Sequence, residues 1–192
     1  ESSDVRREAV RQIATGWKRE PGIFELLKQW VVSNESSDVR REALRQIATG
    51  WKHEPGILDL LKQWVEYDES SDVRREAVRQ IATGWKREPG IFELLKQWVV
   101  SNESSDVRRE ALRQIATGWK HEPGILDLLK QRVEYDESSD VRGEALPQIA
   151  TGWKHEPGIL DLLKQRVEYD ESKSVRREAL RQIAIGWKHE PG

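Results

Sequence analysis

The chain has 192 residues, about a third of them charged, a formal net charge of −2, nine Trp, and neither Cys nor Met. Without Cys, a disulfide framework, a thiolate metal site and a Cys nucleophile are all excluded. No apolar run approaches the roughly 18 residues of a membrane span, and a near-neutral net charge demands no nucleic-acid or membrane partner.

The first element met along the chain is a repeat. Glu-Ser-Ser-Asp-Val-Arg begins at Glu1, Glu35, Glu69, Glu103 and Glu137, and the variant Glu-Ser-Lys-Ser-Val-Arg begins at Glu171. The period is 34, giving repeats over 1–34, 35–68, 69–102, 103–136 and 137–170 and a partial one over 171–192, all within one repeat domain spanning 1–192. The first and third repeats are identical, and the second and fourth differ only where Trp64 becomes Arg132. A 68-residue pair has been duplicated as a unit, and the scattered changes in later repeats read as natural drift, with consensus design as the alternative.

Each repeat divides into two helical stretches. From Asp4 to Lys18, at roughly 100° per residue, Val5, Ala9, Val10, Ile13, Ala14 and Trp17 fill half of a helical wheel, with polar residues on the rest. Asp4 is the expected N-cap. Gly16 is read as allowing close helix packing, with a helix end as the alternative. Pro21 is expected at the first position of the second stretch, where its missing N–H has no partner to lose; Ile23, Phe24, Leu26, Leu27, Trp30 and Val31 then form one apolar stripe. Neither helix can bury its stripe alone. Stacked side by side, the pairs share a continuous core, so the expected fold is an all-α solenoid of about eleven helices. The chain opens and closes with a Val-Arg helix, which predicts uncovered apolar ends and end-to-end self-association. The start at Glu1, without Met or a charged-then-apolar leader, suggests a fragment of a longer protein and a cytoplasmic setting.

A 34-residue period also fits the tetratricopeptide repeat, but that motif places Leu and Gly three and four residues after its Trp. Trp17 is followed there by Glu20 and Pro21, and the ankyrin Thr-Pro-Leu-His signature is absent. The frame Val-Arg-x-x-Ala-[Val/Leu]-x-x-Ile-Ala, with Asp six residues before its Arg, is met by Asp68, Val73, Arg74, Ala77, Val78, Ile81 and Ala82. In this the chain resembles the short bacterial, lyase-type HEAT-like repeat, over essentially its whole length. The resemblance implies a right-handed superhelix whose concave face is lined by the Val-Arg helices. It also implies a ladder of Asp and Arg between neighbouring repeats, formed from Arg40, Asp68, Arg74, Arg108, Asp136, Arg142, Asp170 and Arg176. The wheel agrees independently, because Arg6 falls in the middle of the apolar arc, where a charge needs a partner. Asn34 and Asn102 take the Asp position after the first and third repeats and predict weaker rungs. The Gly-Trp-Lys, acidic-Pro and Leu-Leu-Lys segments are also similar to arrays in cyanobacterial NTPase-linked signalling proteins, which act as sensors or scaffolds. No Gly-x-x-x-x-Gly-Lys phosphate loop is present here.

Candidate chemistry is sparse. His53, His121, His155 and His189 share one repeat position, but packed helices lie roughly 8–10 Å apart, too far for a shared metal, so loop residues are expected and no metal or cofactor. Asn34-Glu35-Ser36 and Asn102-Glu103-Ser104 match a glycosylation sequon, with the ladder role preferred. A basic stripe recurs on the polar side of the Val-Arg helices: Arg7, Arg11 and Lys18; Arg41, Arg45 and Lys52; Arg75, Arg79 and Lys86; Arg109, Arg113 and Lys120. It is either a solvated face with Glu8-type residues pairing with Arg of the same or the next helix, a dock for an acidic protein segment, or a phosphate track. Gly143 and Pro147 interrupt the stripe, and Pro147 predicts a kink. Trp30, Trp64 and Trp98 become Arg132 and Arg166 in later repeats, so a partly exposed position is expected, either for inter-repeat packing or as a Trp binding strip. Trp17 and its equivalents read as core. The expected function is a non-catalytic scaffold binding a protein or peptide through its concave face, with nucleic-acid binding as the alternative. No nucleophile–base pair suggests an enzyme.

Overall fold

The computed structural model describes residues 2–188. Among them are eleven helices and no strand. The Val-Arg helices are α1 (Ser3–Gly16), α3 (Ser37–Gly50), α5 (Ser71–Gly84), α7 (Ser105–Gly118), α9 (Ser139–Gly152) and α11 (Lys173–Gly186). The partner helices are α2 (Ile23–Ser33), α4 (Ile57–Tyr67), α6 (Ile91–Ser101), α8 (Ile125–Tyr135) and α10 (Ile159–Tyr169). The helices form two compact units, residues 1–91 and 92–192.

In the first unit α3 packs between α1 and α5, with α2 laid on α3 and α4 on α5. The second unit repeats the scheme, with α9 between α7 and α11, α8 on α9 and α10 on α11. A partner helix thus packs chiefly on the Val-Arg helix that follows it and only lightly on the one before. Stripe on stripe, this closes the core that neither helix closes alone. Val73, Ala77, Val78 and Ile81 of α5 are buried with Ile57, Leu61 and Val65 of α4 in the first unit. Val141, Ala145, Leu146 and Ile149 of α9 are buried with Ile125, Leu129 and Val133 of α8 in the second. Truncating one such Leu to Ala costs about 2–5 kcal/mol.

Three local expectations change. The N-cap of α1 is Ser2, whose Oγ accepts from the Asp4 N–H at 3.3 Å, so Asp4 lies inside the first turn rather than ahead of it. Pro21 precedes α2 instead of opening it. Ile23 N–H donates to Glu20 O at 3.4 Å across Pro21 and Gly22, and Gly22 has φ of 88°. Proline second and a left-handed glycine third define a type II turn, which sets the reversal between the helices. Gly16 and its counterparts are helix ends: a Cβ at Gly16 would meet nothing within 4 Å, and at Gly50, Gly84, Gly152 and Gly186 only a lysine side chain at 3.6–4.0 Å, so no close helix approach requires them. Pro147 does not end its helix, since α9 keeps the 14-residue length of the other Val-Arg helices.

Candidate functional site

A charged side chain inside an apolar arc needs a partner, and three arginines have one. Arg40 is 4 % exposed; its Nε and Nη2 donate to Asp68 at 3.2 and 3.1 Å, and Nη1 donates to the Asn34 carbonyl at 2.8 Å. Arg108 holds Asp136 in the same two-pronged way, and Arg142 holds Asp170. Such paired N–H bonds to one carboxylate are the strong kind. Burial works against the charge of Arg142, but its bonds to Asp170 and the nearby Glu171 outweigh this and raise its pKa further above the ordinary arginine value. The aspartates also order the backbone: Asp68 Oδ1 accepts from Ser70 N–H at 2.8 Å, fixing the entry to α5. Asn34 and Asn102 keep that backbone bond, to Ser36 and Ser104 at 3.0 Å. Arg6 is exposed, the buried Nε of Arg74 has no hydrogen-bond partner, and Arg176 bonds the carbonyls of Asp170 and Glu171.

The residues expected to form a basic stripe are engaged within the protein. Arg7, Arg41 and Arg109 lie 3.1, 3.0 and 2.9 Å from Asp4, Asp38 and Asp106, and Arg75 pairs with Asp72. Arg11 reaches Glu8 at 2.8 Å and Glu42 of the next repeat at 3.4 Å. Arg45 reaches Glu42 at 3.2 Å and Glu76 at 3.1 Å, Arg79 reaches Glu76 at 2.9 Å, and Arg113 reaches Glu110 at 3.1 Å and Glu144 at 2.6 Å. Glu42, Glu76 and Glu110 are 1–2 % exposed, so these counterparts of Glu8 are buried acceptors and not the solvated partners expected from the wheel, while Glu8 itself is exposed. Burial alone would raise the Glu76 carboxyl. Hydrogen bonds from Arg45 and Gln80, with the charges of Arg45 and Arg79, more than offset this and hold it below the ordinary glutamate range. In return, the Glu76 hydrogen bond raises Arg45, against the opposing effect of burial, and Glu144 does the same for Arg113.

The lysines lie over rings. Lys18 Nζ is 5.8 Å from the Trp51 ring centroid, Lys52 is 5.7 Å from Trp85, and Lys120 is 5.7 Å from Trp153, close enough for cation–π attraction. Lys86 is exposed at the end of the first unit. The Lys18 stem crosses Gly50, where a Cβ would stand 3.6 Å from Lys18 Cε. Gly-Trp-Lys is therefore a clasp in which one repeat's lysine covers the next repeat's glycine and tryptophan. These tryptophans are only partly core: Trp85 and Trp187 are buried, Trp51, Trp119 and Trp153 are half-buried, and Trp17 is exposed.

The Trp strip is not on the surface. Trp64 and Trp98 are 7 % and 4 % exposed, and Trp30 is half-buried, so these rings pack instead of presenting a contact face. Of the arginines that replace them, Arg132 meets the charge problem locally, with Nη1 3.8 Å from Asp136 Oδ2, although the buried Nε of both Arg132 and Arg166 has no hydrogen-bond partner. His53, His121 and His155 are exposed loop residues, and His189 lies outside the described residues. Among the described residues no group of His, Asp and Glu is arranged to hold a metal ion, and no helix is long and apolar enough to cross a membrane.

An array of helix pairs with an arginine at the same buried place in successive Val-Arg helices is the arrangement that the sequence comparison also detects. A family model of HEAT repeats matches residues 1–82 and 55–150. The chain belongs to the HEAT repeat family. HEAT repeats are typically protein-interaction scaffolds and generally non-catalytic. No curated protein matches the chain. Within the HEAT array, sequence reasoning expected the glutamates of the Glu8 position to pair with Arg of the same or the next helix but missed the burial of Glu42, Glu76 and Glu110. The available signal was a Glu at the same place in every repeat, three residues before an Arg in all but the fifth.

Proposed function

We propose that this HEAT array is a non-catalytic scaffold that binds a protein or peptide along the face formed by its Val-Arg helices, the concave face in the HEAT resemblance, as one part of a larger sensor or scaffold protein. The observation that carries this reading is the tie from repeat to repeat: Arg45 joins Glu42 of its own helix to Glu76 of the next. A surface locked in this way is organised before a partner arrives, which reduces the ordering cost of binding. The same ties count against a phosphate track and against a strongly acidic partner, because the stripe's arginines already hold carboxylates and three of its lysines already cover rings. End-to-end contact of copies belongs to the same proposal, supported by the exposed Val5, Trp17, Leu180 and Ile185; sedimentation that stays monomeric at high concentration would remove it.

The test places a photo-crosslinking residue at Thr49 or Thr117, exposed on Val-Arg helices, and at Gln63 or Gln97, exposed on partner helices. One discrete protein adduct from the threonine positions and none from the glutamines is expected. The reverse pattern would reject the face. Oligonucleotide anisotropy supplies the contrary arm: binding that collapses between about 50 and 200 mM salt is the signature of phosphate contacts and would replace the protein-binding reading with nucleic-acid recognition.

A further inference from the structure

The Val-Arg helices contain their own standard for what belongs between neighbouring carboxylates. In α3 the Arg45 guanidinium bridges two glutamates, with Nη1 3.2 Å from Glu42 Oε2 and with Nε and Nη2 3.1 and 3.4 Å from the two oxygens of Glu76. The counterpart of Arg45 three repeats on is Pro147, and the counterpart of Arg41 is Gly143. Two guanidinium groups are thereby missing from α9, and three carboxylates are affected. Glu144 keeps Arg113 at 2.6 Å and Gln148 at 3.0 Å but lacks an arginine three residues on. Glu178 keeps Arg181 at 3.1 Å and Gln182 at 2.6 Å but lacks the arginine of the preceding repeat. Asp140 lacks the arginine that holds Asp38 and Asp106 in other repeats.

The space those side chains would fill is open. It forms a cleft of about 320 Å³, lined by Asp140, Gly143, Glu144, Pro147, Glu178 and Arg181 among others. A Cβ on Gly143 would meet nothing within 4 Å. The Glu144 and Glu178 side chains are 14 % and 23 % exposed, against 2–3 % for Glu42 and Glu76.

We propose that this cleft is a socket for an arginine side chain of a partner polypeptide, whose guanidinium takes the bridging place between Glu144 and Glu178 that Arg45 takes between Glu42 and Glu76. The proposal rests on the scaffold reading and specifies what the partner brings. A planar fork of N–H donors suits two carboxylates at once, whereas the compact, strongly hydrated lysine ammonium suits one. A guanidinium here restores the two arginines per glutamate that Glu42 and Glu76 have, since Glu144 keeps only Arg113 and Glu178 only Arg181. A single ion pair at an open surface holds weakly, so the arginine is carried on a chain that makes further contacts along the Val-Arg face.

The experiment is an NMR titration of the ¹⁵N-labelled chain, carried to about 0.2 M ligand at constant ionic strength so that a single weak contact is still read in fast exchange, with the peptide acetyl-Gly-Arg-Gly-amide, with its citrulline analogue, and with free L-arginine. Amide resonances of Asp140–Leu146, of Gln148 and of Glu178–Gln182 should move with the arginine peptide. The neutral citrulline analogue should bind about tenfold more weakly, for loss of the charge-assisted bonds, and free L-arginine no more tightly than the peptide. Pro147→Arg fills the socket from within, and should abolish the response while raising Tm, so an unfolded variant cannot imitate the result. Equal binding of the citrulline analogue, an undiminished response in Pro147→Arg, or no movement at these residues would overturn the socket. Tighter binding of free L-arginine would overturn its assignment to a polypeptide. If the socket is silent while Thr49 and Thr117 still crosslink a partner, the socket fails and the scaffold stands; if the crosslinks fail while the socket responds, the scaffold reading is the one lost.

Discussion

Helices α3 and α9 occupy the same place in their repeats and bury matching apolar residues: Val39, Ala43, Leu44, Ile47 and Ala48 in one, Val141, Ala145, Leu146, Ile149 and Ala150 in the other. They differ on the outer side. Arg41 and Arg45 complete the ion pairs of α3, whereas Gly143 and Pro147 leave those of α9 incomplete. Both helices nevertheless span 14 residues. The apolar face therefore suffices to hold a Val-Arg helix in the stack, in keeping with tertiary packing as the main source of helix stability. The ion-pair layer is a separable addition that sets what the surface can accept.

The buried rung shared by both helices gives the largest expected effect. Asp170→Ala strands Arg142 in the core, and loss of one member of a buried pair costs about 3–5 kcal/mol, read by urea unfolding. Asp170→Asn should cost less, because it keeps the bond to Ser172 N–H as Asn34 keeps the one to Ser36. Equal stability of Asp170→Ala and the parent chain would show that this rung contributes nothing. Next in size, Pro147→Ala should gain up to about 3 kcal/mol if α9 bears the usual penalty of an interior proline; no gain would mean that the stack absorbs it.

Glu76→Gln tests the layer that α9 lacks in part. It should cost about 1–3 kcal/mol at neutral pH, the penalty for leaving charged donors short of an acceptor. The parent's contribution has a defined pH window. A carboxyl whose folded pKa lies below its unfolded value stabilises the fold above the ordinary glutamate range, and that stabilisation is lost as pH falls through the folded pKa. Glu76→Gln should accordingly show a shallower loss of stability below about pH 4.3, the unperturbed glutamate value, and parallel acid transitions would contradict the assignment. Smallest of the four, Lys52→Ala removes the cover from Trp85 and should cost about 0.5–1 kcal/mol, visible as a shift in Trp fluorescence together with a small fall in Tm.

What could be read from the sequence followed from periodicity. The 34-residue spacing and two amphipathic stretches per repeat sufficed for the helix pairs, and the arginine inside the apolar arc pointed to the rungs at Arg40, Arg108 and Arg142. What could not be read depended on neighbours in space. Glu42 lies on the polar side of its own wheel, and its burial comes from Arg11 of the preceding repeat, 31 residues away, together with Arg45. The exchange of Trp64 for Arg132 suggested an exposed position, because a buried arginine would be stranded; Asp136, four residues on, supplies the carboxylate that removes this argument. Pro21-Gly22 was read one residue at a time as a helix start, whereas the dipeptide as a whole makes the turn.

The ties between repeats span nearly constant lengths of chain: 28 residues from Arg40 to Asp68, 31 from Arg11 to Glu42 and 33 from Lys18 to Trp51. Each is therefore local, and such short-range topology favours rapid folding from any repeat. It also offers little protection against choosing the wrong neighbour. Glu42 and Glu110 stand in the same sequence surroundings, so before the intervening repeats have formed, only the extra loop length tells Arg11 which glutamate is its own. Loop closure over 99 residues in place of 31 costs about 1 kcal/mol more. Near-identical repeats that speed assembly thus leave the chain open to skipping a whole repeat pair, a kinetic trap that should appear as a slow refolding phase and disappear when the repeats are made dissimilar.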